Sequence, residues 1–316
     1  MKKLNVIYAT TILIVISNVF VANGQEAKAV DLGLRAKWAT TNLGALDSTQ
    51  FGNFYAWGET ETKSSYSSAN YKYLRNDSII KYYPNATEGE EFIEAASDGA
   101  SKRRPGIVDN KLYLELADDA AHVSLGGNWL IPSRFHMDEL ITQCTWEAIK
   151  TDSICGYKVT GPNGNSIFLP AAGFITDTLH LCKNVTGSYW LNKIYTYKKF
   201  NQSTNMEEPL IEVSGGSTLD FDMKENMKIQ SIYCVRTYGC PIRPVLVNPS
   251  IEQLSNDEWQ LFQFMRENPT LPIKSVPSKM KEDPKKVNSC FAKLKKLKLL
   301  HWEGGKDDGK WTFSEW

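Results

Sequence analysis

The chain has no Cys-x-x-Cys pair and its four histidines are scattered, so the spacing of a zinc site is absent and no metal or other cofactor is expected. Nor is there an excess of either charge, since Lys plus Arg and Asp plus Glu each number 36. That balance excludes a whole-chain field of the kind that gathers nucleic acid or an anionic membrane, so any charge argument has to be local. Long apolar runs are scarce too. The run at residues 6–21 is broken by Thr10, Thr11, Ser17 and Asn18 and is short for a bilayer span of about 20 residues. Lys2 and Lys3 precede it and Ala22-Asn23-Gly24 follow, the pattern of a secretory signal peptide cut after Gly24. The competing reading is an uncleaved anchor. In both, the chain beyond residue 25 is exported, to the periplasm, the cell surface or the medium. No cysteine follows the apolar run, so no lipid anchor is expected at the mature N-terminus.

What is present begins with punctuation. Residues 161–174 read GPNGNSIFLPAAGF. A phosphate cradle would need a helix after the glycines, usually opened by a Lys-Ser or Lys-Thr pair. Here a strand-like run, Ile167, Phe168 and Leu169, ends at Pro170, so Asn163-Gly164 predicts a tight hairpin turn. The stretches before and after are similar: short apolar runs cut by glycine over 30–60 and again over 155–243. Two helices interrupt them, one near 114–123 ended by Gly126-Gly127, and one capped by Ser133 with Met137, Leu140, Ile141 and Cys144 on a single face. Many short strands with two helices predict an α+β domain rather than repeated βαβ units.

Beyond residue 247 the composition changes. Ser255 and Glu258 form a capping box ahead of Trp259, Phe262 and Met265. A short helix is predicted over 273–280. A third opens at Asp283-Pro284 and carries the stripe Val287, Cys290, Phe291, Leu294 and Leu297. Residues 299–303 and 310–314 then read as a β-hairpin. Three helices and a wing resemble a winged helix-turn-helix domain. The predicted organisation is a signal segment at 1–24, a first domain at 25–247 and a winged-helix-like domain at 248–316 with a core of its own.

The segments VDLGLRAKWATTNLGA, YAWGET, LELADDAAHVSLGGNWLIPS, CTW, GYKVTGPNGNSIFLPAAGF, GSYW and PIRPV follow one another over residues 30–245, with one insertion near 75–108. In that order they resemble the FISUMP, or major paralogous, domain of exported bacterial proteins. The resemblance implies a C-type-lectin-like fold, distantly similar to that of formylglycine-generating enzymes, in an exported or surface protein. Residues 191–239 depart from the family pattern, with lysines, glutamates and extra cysteines where Ser and Tyr are usual.

Catalytic groups are hard to assemble from this sequence. His136, Asp138 and Glu139 share a helix but point in divergent directions, and the apolar face already accounts for the segment. A nucleophilic cysteine would need a nearby base, and the cysteine motif of the formylglycine-generating enzymes is not matched. Cys144, Cys155, Cys182, Cys234, Cys240 and Cys290 all lie in the exported part, where disulfides or buried thiols are expected. Aromatic residues cluster late in the first domain, and Tyr195, Tyr197 and Tyr238, with Arg236, make the candidate ligand-binding set. Trp190 and Arg243 are expected in the core. The third C-terminal helix is rich in lysine, and Lys293 and Lys296 are the candidates for contact with an acidic partner, nucleic acid being disfavoured by export.

Three function classes follow. The leading one is an exported, non-enzymatic recognition or scaffold protein with a glycan or protein ligand. The others are an envelope-anchored regulator that uses the winged-helix-like domain, and an enzyme derived from the lectin-like fold.

Overall fold

The computed structural model describes residues 27–76, 78–84, 94–95, 101–102, 106–201, 206–224, 229–305 and 309–314. The predicted signal segment at 1–24 lies outside them. Among the described residues no helix is long and apolar enough to cross a membrane. The architecture is mixed α and β, with several small antiparallel sheets and few helices.

One four-stranded sheet closes the first unit. Its order is Ala29–Val30, Lys37–Ala39, Val245–Leu246, Trp129–Leu130, so strands from the start and the end of the unit pair directly, Trp38 with Val245. The PIRPV segment leads into that last strand, and Arg243 is buried beneath it as expected. Its guanidinium donates to Asn42 Oδ1 at 2.8 Å and to the Phe168 carbonyl at 2.8 Å. With only neutral acceptors around it, burial draws its pKa down to about 10.

A second sheet joins Thr145–Lys150, Cys155–Thr160 and Ser166–Pro170. The hairpin between the last two is the turn predicted at Asn163-Gly164. Gly161 N donates to Asn165 O at 2.9 Å, Gly164 N to Gly161 O at 3.0 Å, and Gly164 has φ +86°. The Asn163 and Asn165 amides reach across to the Asp31 carbonyl at 2.9 and 2.8 Å, which ties the tip to the N-terminal strand.

The two helices of the first unit are set by their caps. The buried Asp119 carboxylate accepts from the amides of Ala121, His122 and Ile131, so one side chain both starts α1 (Ala120–Leu125) and fixes the following strand. Ser133 caps α2 (Arg134–Gln143), with His136 completing the box. Met137 and Leu140 are buried on its inner face, and Ile141 and Cys144 pack beside them.

A long ribbon, Thr186–Asn201 with Met206–Asp222, forms the third sheet with Gln230–Val235. At its base Trp190 Nε1 donates to Tyr55 O at 2.6 Å while Trp57 Nε1 donates to Leu191 O at 2.9 Å. The two indoles pack so closely over Gly216 that a Cβ there would lie 2.5 Å from Trp57 and 2.9 Å from Trp190. The YAWGET and GSYW segments are thus halves of one core.

The C-terminal elements come in the predicted order: α3 (Asn256–Glu267) with its Ser255 and Glu258 capping box, α4 (Val276–Met280), α5 (Pro284–Lys296) capped by Asp283, and the hairpin Leu300–Glu303 with Lys310–Phe313. The change of composition at residue 248 is not a gap in packing. A single apolar cluster runs from Leu32 and Trp38 through Trp259 and Phe262 to Trp311 and Phe313. On its polar flank Trp259 Nε1 donates to Leu114 O at 2.8 Å, and Gln260 Nε2 to Tyr113 O at 2.7 Å. Lys193 pairs with Glu267, and the buried Arg266 guanidinium meets His136 Nε2 at 3.0 Å between the Phe135 and Phe262 rings. The second unit therefore shares its core with the first.

Candidate functional site

The ribbon positions the tyrosines singled out by sequence. Gln230–Val235 supports it only opposite residues 215–220, so from the Tyr195 and Glu212 pair outward the ribbon continues as two strands. Tyr197 pairs with Leu210 in register, and its side chain lies outside the described residues. Tyr195 is half-buried against Tyr233, with centroids 5.8 Å apart and the rings edge to face. Tyr238, also half-buried, stacks on Phe174 at 5.6 Å in the turn after Gln230–Val235. Tyr195 and Tyr238 thus rest on different aromatic partners.

Arg236 requires a different placement. It is 2% exposed, lies over the Trp57 and Tyr71 rings, and donates to Tyr71 Oη at 2.8 Å and to the Lys81 carbonyl at 3.2 Å. A planar guanidinium satisfied by aromatic faces and carbonyls serves the core and is withdrawn from the surface. Lys293 is half-exposed and ion-paired. Its ammonium is 2.7 Å from Glu258 Oε2 and 2.7 Å from the Gln253 carbonyl, so it ties α5 to the cap of α3. Lys296 is exposed.

The densest group of titratable side chains surrounds the LELADD segment. Asp118 accepts from Lys81, from Tyr82 Oη at 2.6 Å and from Lys72 at 3.0 Å, while Glu115 pairs with Lys81 and Lys111. Burial pushes the Asp118 carboxyl up, but hydrogen bonds from Lys81, Tyr73, Tyr82 and Lys72 outweigh it and hold the group down to about 2. A carboxylate so strongly held in its charged form is a poor proton acceptor near neutrality. His136 and Glu139 are also committed, the first to the α2 cap and Arg266, the second to Arg35 at 3.3 Å. Among the described residues no three His, Cys, Asp or Glu side chains converge as metal ligands would.

A roomier concavity lies elsewhere. A cleft of about 780 Å³ opens between the N-terminal strand, the 39–46 loop and the end of α1. Thr40, Thr41, Asn53, Tyr55 and Ser124 give it hydroxyls and an amide, and Trp129 and Leu125 give it apolar wall. Among its described lining residues there is no carboxylate, imidazole or thiol, and exposed Lys28 is the one charged side chain. Burial raises the Tyr55 phenol pKa, so it stays a neutral donor and acceptor. Such a lining can recognise a neutral polar ligand by hydrogen bonds. A smaller cleft of about 180 Å³ lies at the junction of the units and is charged, with Lys286 bridging Asp257 at 2.8 Å and Glu282 at 3.2 Å.

Reasoning from sequence missed the large cleft because its polar residues come from three separated segments, each of which reads only as strand, turn or helix. YAWGET carries Tyr55, and its aromatic density was the one available signal. Comparison of the chain with family models, curated proteins and solved structures returned no match.

Proposed function

We propose that this is an exported, non-enzymatic recognition protein whose first unit, C-type-lectin-like, holds a neutral hydroxyl-rich ligand such as a glycan. The winged-helix-like second unit buttresses it. The observation that carries this reading is the cleft of about 780 Å³ lined by Thr40, Asn53, Tyr55 and Ser124, with no carboxylate, imidazole or thiol among its described lining residues. Volume of that order accommodates a small ligand, and a few convergent polar groups against an apolar wall are what orient one. The paired state of Asp118, Glu139 and His136 supports a binding rather than a catalytic role.

The test is titration of the purified chain with a panel of neutral oligosaccharides, read by calorimetry or ligand-observed NMR. Saturable binding is expected, and Ser124→Trp, an exposed site on α1 that a bulky ring would extend into the cleft, should abolish it without lowering the melting temperature. Binding unaffected by Ser124→Trp would remove the cleft from the proposal. Turnover of any panel member would favour the enzyme reading.

A second reading, an envelope regulator that contacts a polyanion, draws on one observation. Lys285, Lys295, Lys296 and Lys298 are all exposed around α5 and its end. For an exported protein this face should bind duplex DNA only weakly, without sequence preference, and with steep loss as salt rises. Sequence-specific binding by the whole chain at physiological salt, lost in Lys296→Glu, would make the regulator reading the leading one.

A further inference from the structure

Two thiols lie side by side where the third sheet turns back toward the core. The Sγ atoms of Cys234 and Cys240 are 3.5 Å apart. Cys234 is held opposite Gly216 of the ribbon, and Cys240 opposite Tyr55 in the Cys240–Pro241 strand. Between them the chain reverses through residues 236–239, closed by the Tyr238 amide donating to Val235 O at 2.9 Å. Each cysteine is thus fixed by a neighbouring strand, so the pairing of their sulfurs is built into the sheet.

We propose that Cys234 and Cys240 form an intrachain disulfide when the chain meets a small-molecule or protein disulfide. A disulfide bond is about 2.05 Å long, so the sulfurs have to close by roughly 1.5 Å, a side-chain adjustment rather than a refolding of the strands. Cys234 is partly exposed and Cys240 is fully buried, so Cys234 is the sulfur an oxidant reaches first. Burial and the adjacent sulfur also push the Cys240 thiol well up, which keeps it protonated until its neighbour has reacted. In the first step the Cys234 thiolate attacks one sulfur of the oxidant, forming a mixed disulfide and releasing one thiolate. In the second, Cys240 gives its proton to that thiolate, attacks Cys234 Sγ, and expels the remaining oxidant sulfur as a second thiolate, which takes from water the proton that Cys234 had released. Two protein thiols thereby lose two protons and two electrons, and the oxidant leaves as two thiols.

The bond would straddle the turn that bears Arg236 and Tyr238. The Arg236 carbonyl accepts from the Trp57 amide at 2.9 Å, and Gly239 bridges Ile175. One cross-link there would therefore staple the ribbon sheet to the Trp57 core and to the strand under Tyr238. This inference is independent of what the large cleft binds.

The test uses the purified full chain, reduced and then incubated with oxidised glutathione in native buffer or in urea, with remaining thiols alkylated before digestion. Trypsin cuts after Arg236, so the two cysteines fall in separate peptides joined only by the bond. The joined pair is expected as the main cross-linked product in native buffer, with its yield falling in urea. Recovery of both cysteines alkylated or as separate glutathione adducts would overturn the proposal. So would preferential linkage of either to Cys155 or Cys182. Cys234→Ser should leave Cys240 unreacted in the native state, and should that variant fail to fold, the wild-type peptide map decides alone.

Discussion

Replacing Trp259 with alanine examines whether the two units stand or fall together. The indole is 1% exposed, stacks on Phe262 with centroids 6.1 Å apart, and donates to the Leu114 carbonyl across the boundary. Truncating a buried tryptophan to alanine costs about 3–5 kcal/mol through lost burial and the cavity left behind. The Leu114 carbonyl also loses its donor, adding about 1 kcal/mol or more unless water reaches it. Trp259→Phe keeps most of the ring volume and should cost about 1–2 kcal/mol, chiefly the orphaned carbonyl. Because the apolar cluster is continuous from Leu32 to Phe313, the loss should appear as a lower denaturant midpoint for the whole chain. The assay is equilibrium unfolding in urea, followed both by tryptophan fluorescence and by protection of the Tyr113 and Leu114 amides from hydrogen exchange. A transition that splits, with protection at 113–114 unchanged in Trp259→Ala, would refute the shared core and restore two independent domains.

Gly164 sits at φ +86° with no neighbouring atom within 4 Å of where a Cβ would stand, so Gly164→Val should destabilise by about 1 kcal/mol or more from backbone strain alone. Gly164→Asn should recover part of that in thermal melts, and an unchanged melting temperature in the valine variant would make 161–174 a candidate ligand loop again. Asp118 governs acid stability. Its folded pKa of about 2 lies below the unfolded value near 3.9, so its contribution is present above about pH 4 and lost as pH falls toward 2. With screening at the partly exposed Lys81 and Lys72, the loss should be about 1–2 kcal/mol. Urea midpoints measured from pH 6 to pH 2 should fall less steeply in Asp118→Asn than in the parent, and parallel slopes would contradict the assignment.

Local structure was legible in the sequence wherever one residue type has one physical use. Gly164 marks a positive φ, Ser133 and Ser255 satisfy helix amides, Asp283-Pro284 opens a helix, and the spacing of Met137 and Leu140 declares a buried face. The alternation of short apolar runs also led to a mixed α and β architecture. Side chains with two uses were decided by tertiary structure. Arg236 carries a charge that reads as a surface feature, yet it is buried over two aromatic rings, and half-exposed Lys293 reaches a carboxylate 35 residues away. The cost of burying a charge depends on donors and acceptors brought in from distant segments, and sequence spacing holds no record of them. The same holds for the cleft, whose Thr40, Tyr55 and Ser124 come from separate segments that tertiary packing brings together, Lys37–Ala39 pairing with Val245–Leu246. It holds also for the boundary at residue 248, where composition changes but Trp259, Gln260 and Arg266 cross to the first unit. Propensity and capping act within a few residues of the chain, whereas a binding surface and a shared core are properties of what packs against what.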